Sequence, residues 1–446
     1  MTYGLTVALM VSARNQKRRK EAKVKTTIKN AGVRIKKKEE LRERLKRENP
    51  EEAAKIAMIQ ALIPLGLNAV KEKLQAEVVK LAGPRYHNRG YELGRHGSNP
   101  GSVYMYDQKV GTVVPRVRHK TTGEEVSLMS YAGLQEPTTI ENMTLSRMIH
   151  GISTGNYQET ALKVAETMGM ERNSVSRRWI CASAKKLQAL QERDLSGYDI
   201  IAIFIDGKAF SREKEMVVAA GVTLTGDKVI LGFVETSSEN HRVIRQFFQS
   251  LKARGLRVDK DILFIMDGSK GIRKGVDDEF PDTAFIQRCT WHKREDVVSY
   301  LSDVDKEHFR PKLQKAYEMN SYAEAKAALK SIRTELSRIN LSAVNSLDEG
   351  FEETLTLQKL GVFEQLGTSF KTTNVIENVN KLIETKISRV SYWKNSDQRQ
   401  RWLGTVLWTV EPRLRKVKGY RYLPMLRLAM QRMNPKNQQA EMLMAA

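Results

Sequence analysis

Residues 199–288 limit the fold more than any other stretch. "DIIAIFIDGKAF" is rich in β-branched and aromatic residues and reads as a strand. "EMVVAAGVTLTGDKVILGFVETSS" holds two more strands, joined by the turn Thr225-Gly226-Asp227-Lys228. "ENHRVIRQFFQSLKARG" has the spacing of an amphipathic helix closed by Gly255. "DILFIM" is then a strand, "SKGIRKGVDDEF" a helix and "TAFIQ" a strand. This order predicts a mixed α/β sheet that begins with a three-stranded meander. Two of the strands stop at Asp-Gly: "AIFI" at Asp206 and "LFIM" at Asp267. One such stop is equally a turn or the cap of the next helix. If the two strands are adjacent or nearly so, both carboxylates reach one sheet edge. Unpaired there, they repel each other and raise a pKa. A divalent cation relieves that repulsion, and oxygen-only ligands suit Mg²⁺ or Mn²⁺.

A third acid stands in "NVIENVNKLIE", predicted as a helix from about Val375 after a Thr/Asn capping region. Glu377 has Asn374 and Asn380 at i−3 and i+3 on its face, while Val375, Ile376, Val379 and Ile383 pack the others. Asn380 and Lys381 are placed to orient metal waters or contact a phosphate. An exposed Glu on a surface helix is the alternative for Glu377 alone.

The charge balance narrows the partner. With 75 Lys+Arg against 52 Asp+Glu the chain carries +23. Residues 1–50 hold 16 basic and 5 acidic residues, so +11 of this sits in an N-terminal arm. Such an excess favours nucleic acid over a membrane as partner. Ser269, Lys270 and Arg273 begin a helix beside the acidic edge and are candidate DNA contacts, while Asp277, Asp278 and Glu279 read as its solvated end. "YQETALKVAETMGMERNSVSRRWICASAKKL" has the texture of a helix-turn-helix, with Gly169 in the turn and Asn173 or Ser174 as cap. Val175, Trp179 and Ile180 are expected inward. Arg172, Asn173, Ser174, Ser176, Arg177 and Lys185 are expected to offer groups for phosphates and base edges. After Glu377, Lys381, Lys386, Arg389, Trp393, Lys394, Arg399 and Arg401 extend a basic and aromatic path for DNA, or else a solvated basic face with a core tryptophan.

Further segments complete the outline. "PEEAAKIAMIQALIPLGLNAVKEKLQAEVVKLAG" predicts helices broken at Pro64 and Gly66 and ended at Gly83-Pro84. "SVYMYDQKVGTVVPRVR" reads as a hairpin turning at "DQKVG". No glycine occurs between Gly275 and Gly350, which fits an all-α insertion. Two cysteines, Cys181 and Cys289, form no disulfide framework and fit a reducing cytosol. "MTYGLTVALMVSA" lacks a basic n-region, so no signal peptide is expected, and no run of 18 apolar residues predicts a membrane span.

Taken in order, "IFIDG", "FIMDG", "RCTWHK" and "TTNVIENVN" resemble the DDE transposases of bacterial insertion sequences in the Mutator-related superfamily. The spacings are 267 − 206 = 61 and 377 − 267 = 110, with the helical insertion in the second gap. The resemblance implies an RNase H-like domain whose catalytic and metal-binding residues are Asp206, Asp267 and Glu377. It places Cys289 and His292, a Cys-x-x-His element, in support of that site by packing and hydrogen bonding. It implies two Mg²⁺ per active site, with Mn²⁺ able to substitute, and no nucleotide cofactor. Cleavage at terminal inverted repeats and transfer of the ends into target DNA follow, by a homodimer or higher oligomer in the prokaryotic cytoplasm, at the nucleoid. A nuclease or junction resolvase on the same fold, and a DNA-binding descendant without catalysis, are the alternatives.

The expected fold class is multidomain α/β. A basic arm with helices (1–84), a β-hairpin region (85–137) and a helix-turn-helix domain (138–195) precede a split catalytic domain (196–295 and 371–410). An all-α insertion (296–370) interrupts that domain, and a basic tail (411–446) follows it.

Overall fold

The structure is a computed structural model that describes residues 50–435, apart from 87–89, 106–107, 137, 155, 158–166, 169–170, 212–213, 237–239, 389 and 391. The expected basic arm lies outside the described residues, as do Ala161, Leu162, Val164 and Ala165, expected to mark the first helix of the helix-turn-helix, and Gly169 and Arg389. The chain divides into two compact units, residues 1–139 with 162–169, and residues 140–161 with 170–446.

In the first unit, α1 (Pro50–Ala82) is one helix rather than a broken pair. Proline removes one helical hydrogen bond, but tertiary burial outweighs that local break here. Val70, Leu74, Val78 and Ala82 recur every four residues and pack with Val103, Val117 and Leu128. Gly66 has a packing reason of its own: a Cβ there would lie 2.5 Å from Met105 Cε. Gly83, at φ 74°, ends the helix in the left-handed conformation. The hairpin of β1 (Leu93–Met105) and β2 (Gln108–His119) is longer than its sequence signal, and its register pairs Met105 with Gln108. Gln108, Lys109, Val110 and Gly111, read as part of the turn "DQKVG", are paired strand residues instead. The short strands β3 (Glu125–Val126) and β4 (Thr167–Met168) both pair β2, and helix α2 (Met129–Leu134) follows β3. Thr167 and Met168 were expected within a helix-turn-helix and are strand instead, paired with Val110 and Lys109.

The second unit opens with α3 (Thr138–Ile149) and α4 (Arg172–Gln191). Its sheet has the order β7 (Lys228–Thr236), β6 (Lys214–Thr223), β5 (Ile200–Ser211), β8 (Ile262–Met266) and β9 (Ala284–Arg288). β5, β6 and β7 form the antiparallel meander. β8 and β9 then add in parallel. Parallel neighbours need crossovers, and α5 (His241–Ala253) and α6 (Lys270–Glu279) supply them on one face. Period two divides the strands between two cores. Ile203, Ile205, Phe264 and Met266 meet Ile244, Phe248, Ile272 and Val276 on the α5/α6 face. Ala202, Phe204, Leu263 and Ile265 face the other way.

A helical block follows β9, with its own core around Phe309, Leu313, Leu329, Leu336 and Leu347. It comprises α7 (Thr290–Ser299), α8 (Asp303–Tyr317), α9 (Tyr322–Leu336) and α10 (Leu341–Asp348). The chain returns through α11 (Thr356–Lys359) and α12 (Phe363–Phe370) to α13 (Asn374–Ile387) and α14 (Ser396–Val410). These pack on the Phe204 face through Val375, Ile376, Val379, Leu403 and Leu407. The C-terminal segment is structural as well as basic: α15 (Leu423–Met433) buries Leu423, Leu426 and Met430 in the same core.

Candidate active site

Asp206 and Asp267 are brought side by side by strand register. β5 and β8 are adjacent, and Ala202, Ile203 and Phe204 pair Leu263, Phe264 and Ile265, an offset of 61. Asp206 and Asp267 are separated by the same 61 residues, so the ladder, continued two residues, sets them opposite each other. Neighbouring strands lie about 4.8 Å apart. Alternation turns both toward the face that carries α13. One detail differs from expectation: Asp206 does not end its strand. β5 runs on to Ser211 because β6 keeps pairing there, with Asp206 opposite Val218 and Lys208 opposite Met216.

The two acids have different surroundings. Asp206 is 8% exposed, and its Oδ2 accepts a 3.0 Å hydrogen bond from Asn380 Nδ2. Burial, and then the charge of Asp267, push its carboxyl up to about 7; His292 opposes this and Glu377 adds to it. Asp267 Oδ1 accepts from the Ser269 backbone N–H at 3.0 Å, and Ser269 Oγ caps α6 by accepting from Ile272 N. The turn-forming reading of Asp267 and its place at the acidic edge therefore hold together.

Glu377 lies in the first turn of α13. Its Oε1 accepts a 2.8 Å bond from Thr373 Oγ1. Thr373 also meets Cys289 Sγ at 3.4 Å and His292 Nδ1 at 3.3 Å. Cys289 is buried at the N-cap of α7, and His292 is in that helix's first turn. His292 is pushed up to about 9, first by its hydrogen bond to Cys289 and further by the charges of Cys289, Asp267 and Asp206, against burial. Asn380 is buried between Asp206 and the helix, and its Oδ1 has no hydrogen-bond partner. Asn374, six residues earlier, is exposed.

The donor set fits a hard divalent cation in kind: carboxylates in adjacent register, one with its proton affinity raised by burial and then by its neighbour, and an orphaned amide oxygen beside them. Glu377 is near enough for its charge to act on Asp206, with its Oε1 held by Thr373. Among the described residues no three His, Cys, Asp or Glu side chains are grouped to hold one ion.

The candidate DNA contacts divide sharply. Arg172, Asn173 and Arg177 are exposed on α4, and Ser174 and Ser176 are half-buried. The helix starts at Arg172 with Glu171 as N-cap, so neither Asn173 nor Ser174 caps it. Val175 and Trp179 are buried as expected, but Ile180 is 43% exposed. The buried stripe runs Val175, Trp179, Ala182, and Ile180 falls about 100° from Trp179. Lys185 pairs Glu141. Lys270, Lys381 and Lys394 are exposed, whereas Arg273 is engaged by Glu353 and Asp277. Arg399 and Arg401 are held inside the fold by Glu235 and Asp397. Trp393 packs against Trp402, with ring centroids 6.3 Å apart. Glu279 corrects another expectation: the residue is half-buried with its side chain turned inward, and Arg245, Gln249 and Lys252 donate to it. It joins α6 to α5 instead of facing solvent.

Three residues at the site escaped the sequence reading. Lys208 follows Asp206 by two on the same strand face and bonds Glu384 and the Asn380 carbonyl. Arg288 ends β9, and a Cβ at either Gly268 or Gly350 would run into its guanidinium. Thr373, one helical turn before Glu377, looked like a plain helix cap.

In the second unit, fold and site together define an α/β sheet covered by helices on both faces, which sets acidic side chains side by side on adjacent parallel strands. The model of the transposase family named Mutator matches residues 35–414, and the chain belongs to that family. It is similar to the transposase for insertion sequence element IS1201 of Lactobacillus helveticus, at 23% identity over 72% of this chain and 86% of the relative. The transposase for IS256 in transposon Tn4001 of Staphylococcus aureus is 27% identical over 59% of this chain and 68% of its own. The transposase for IS905 of Lactococcus lactis is 23% identical over 76% and 86%. Membership implies an enzyme that cleaves and transfers DNA. Among the described residues no helix is long and apolar enough to cross a membrane.

Proposed function

We propose that the chain cuts DNA at the terminal inverted repeats of an insertion sequence and joins the ends to target DNA, using Asp206, Asp267 and Glu377. The observation that carries this reading is the coincidence of ladder offset and carboxylate spacing, on the face where α13 lies. The sheet order, a meander followed by two parallel strands with a helical block before the last acid, supports an RNase H-like domain.

Asp206, Asp267 and Glu377 would hold two Mg²⁺, or Mn²⁺ in their place. The chemistry such ions supply is charge neutralisation at the scissile phosphate and activation of water or a DNA 3′-hydroxyl. The chain's own groups do the rest. Asn380 orients Asp206 by donating to Oδ2 and leaves its own Oδ1 as an acceptor at the site. Thr373 fixes one oxygen of Glu377. His292, with a raised proton affinity, lowers the net negative charge that DNA must approach. The exposed Arg172, Asn173 and Arg177 of α4, with Ser174 and Ser176 beside them, support contact with phosphates and base edges in a helix-turn-helix manner. Lys270, Lys381 and Lys394 suit DNA nearer the acids. Two ends must meet in one complex, so a homodimer or larger assembly is the working form, acting at the bacterial nucleoid.

The test is a cleavage and strand-transfer assay on DNA carrying the element's ends, with Mg²⁺. Asp206→Asn, Asp267→Asn and Glu377→Gln should each abolish both steps while the folded protein still binds DNA. Full activity in Asp267→Asn would overturn the assignment. Cleavage without joining of pre-cut ends would make the protein a nuclease.

A further inference from the structure

We infer that Thr373 is a positioning residue that ties the Cys289/His292 element to Glu377 and presents the Glu377 carboxylate for metal. The inference rests on the reading of Glu377 as a ligand. Thr373 is fully buried. It occupies the N-cap of α13, yet its side chain makes no cap hydrogen bond to that helix, although threonine is suited to that task. Its hydroxyl is directed elsewhere. Three groups surround Oγ1: Glu377 Oε1 at 2.8 Å, His292 Nδ1 at 3.3 Å and Cys289 Sγ at 3.4 Å.

A hydroxyl has one hydrogen and two lone pairs. Glu377 is the nearest neighbour and, when ionised, accepts only, so the hydrogen goes to it. The ring nitrogen of His292 then donates into the oxygen, which assigns its proton to Nδ1. The backbone N–H of Thr373 donates to Cys289 Sγ at 3.4 Å, so the sulfur also anchors the residue. The result is a directed chain from His292 through Thr373 to Glu377 Oε1. Oε2 makes no hydrogen bond among the described residues and is left for a cation.

The junction is held from both sides. Thr290 donates to the Lys371 carbonyl through its backbone N–H and its Oγ1, at 3.0 and 3.1 Å. The start of α7 is thereby fastened to the segment before α13. A purely local bond between residues i and i+4 would need none of these contacts, which come from 81 to 84 positions away. Groups that hold a metal-binding carboxylate by hydrogen bonding affect affinity by about 10- to 100-fold when removed.

The experiment is calorimetric titration of the EDTA-treated full-length protein with Mn²⁺, with thermal melts in EDTA. Thr373→Val keeps the shape and the backbone N–H but removes the hydroxyl. It should weaken Mn²⁺ binding about 10- to 100-fold with the melt unchanged. Thr373→Ser should retain wild-type affinity. Thr373→Ala is a second hydroxyl deletion, and should Thr373→Val not fold, loss there against retention in Thr373→Ser gives the same support. Wild-type affinity in Thr373→Val, alongside weakened binding in Glu377→Gln, overturns the inference and leaves the role of Glu377 intact. Unaltered binding in Glu377→Gln overturns both.

Discussion

Replacing Asp206 by Asn should stabilise the metal-free protein at alkaline pH and flatten its pH dependence. In the folded chain Asp206 keeps its proton up to about pH 7, against 3.8 for the ordinary carboxyl. That rise of about three units corresponds to about 4 kcal/mol. Between the two values the folded state holds a proton that the unfolded state has released. Stability therefore falls as pH rises through this window, and the whole penalty stands above about pH 7. About 3 kcal/mol of it, two units' worth, falls between pH 5 and pH 7. Asn at 206 carries no charge, and its Oδ1 can still accept from Asn380. Urea unfolding in EDTA at pH 5 and pH 8 measures the effect. The wild type should lose about 3 kcal/mol more than Asp206→Asn across that interval. Mg²⁺ at pH 8 should stabilise the wild type more than the variant. Parallel pH profiles for the two proteins would refute the account of a buried carboxylate opposed by Asp267.

Other expectations follow from the packing. Glu279→Ala removes the acceptor that Arg245 and Lys252 share at the α5/α6 contact and should destabilise by about 1–2 kcal/mol in a urea melt. Phe248→Ala empties a buried site where its ring meets Phe264 and Phe280 edge-on at 6.0 and 5.3 Å, and about 3–5 kcal/mol should be lost. Arg177→Ala should weaken binding to DNA carrying the element's ends and reduce the slope of log K against log salt by about 1. Unaltered binding would remove the exposed face of α4 from the DNA interface.

Much of the second unit was legible from residue patterns. Three strands in series, two crossover helices and two more strands appear where the apolar runs and turn residues put them. The Thr225–Lys228 turn and the Gly255 stop are local chemistry, and local chemistry is what a sequence displays. Errors arose where long-range packing overrides it. Pro64 and Gly66 mark a break, yet α1 continues because its later turns bury Val70, Leu74 and Val78 on a hairpin. "VDDEF" resembles a solvated helix end, yet the Glu279 side chain is turned inward because α5 brings three donors to it. Arg399 and Arg401 look like a nucleic-acid face, but Glu235, distant in sequence, pairs with one of them.

Residue patterns alone marked the strands and crossover helices of the second unit's sheet, and put Asp206, Asp267 and Glu377 at strand and helix positions able to carry chemistry. Periods of 2 and 3.6 residues are properties of a segment alone, as is an apolar run that stops at Asp-Gly. That β5 lies beside β8 with an offset of 61 came from the packed chain alone. It alone gave the Thr373 hydroxyl to Glu377 instead of to its own helix. Strand partnership, register and the direction of a buried hydroxyl depend on which surfaces exclude water together. That is a property of segments far apart in the chain, and no single stretch contains it.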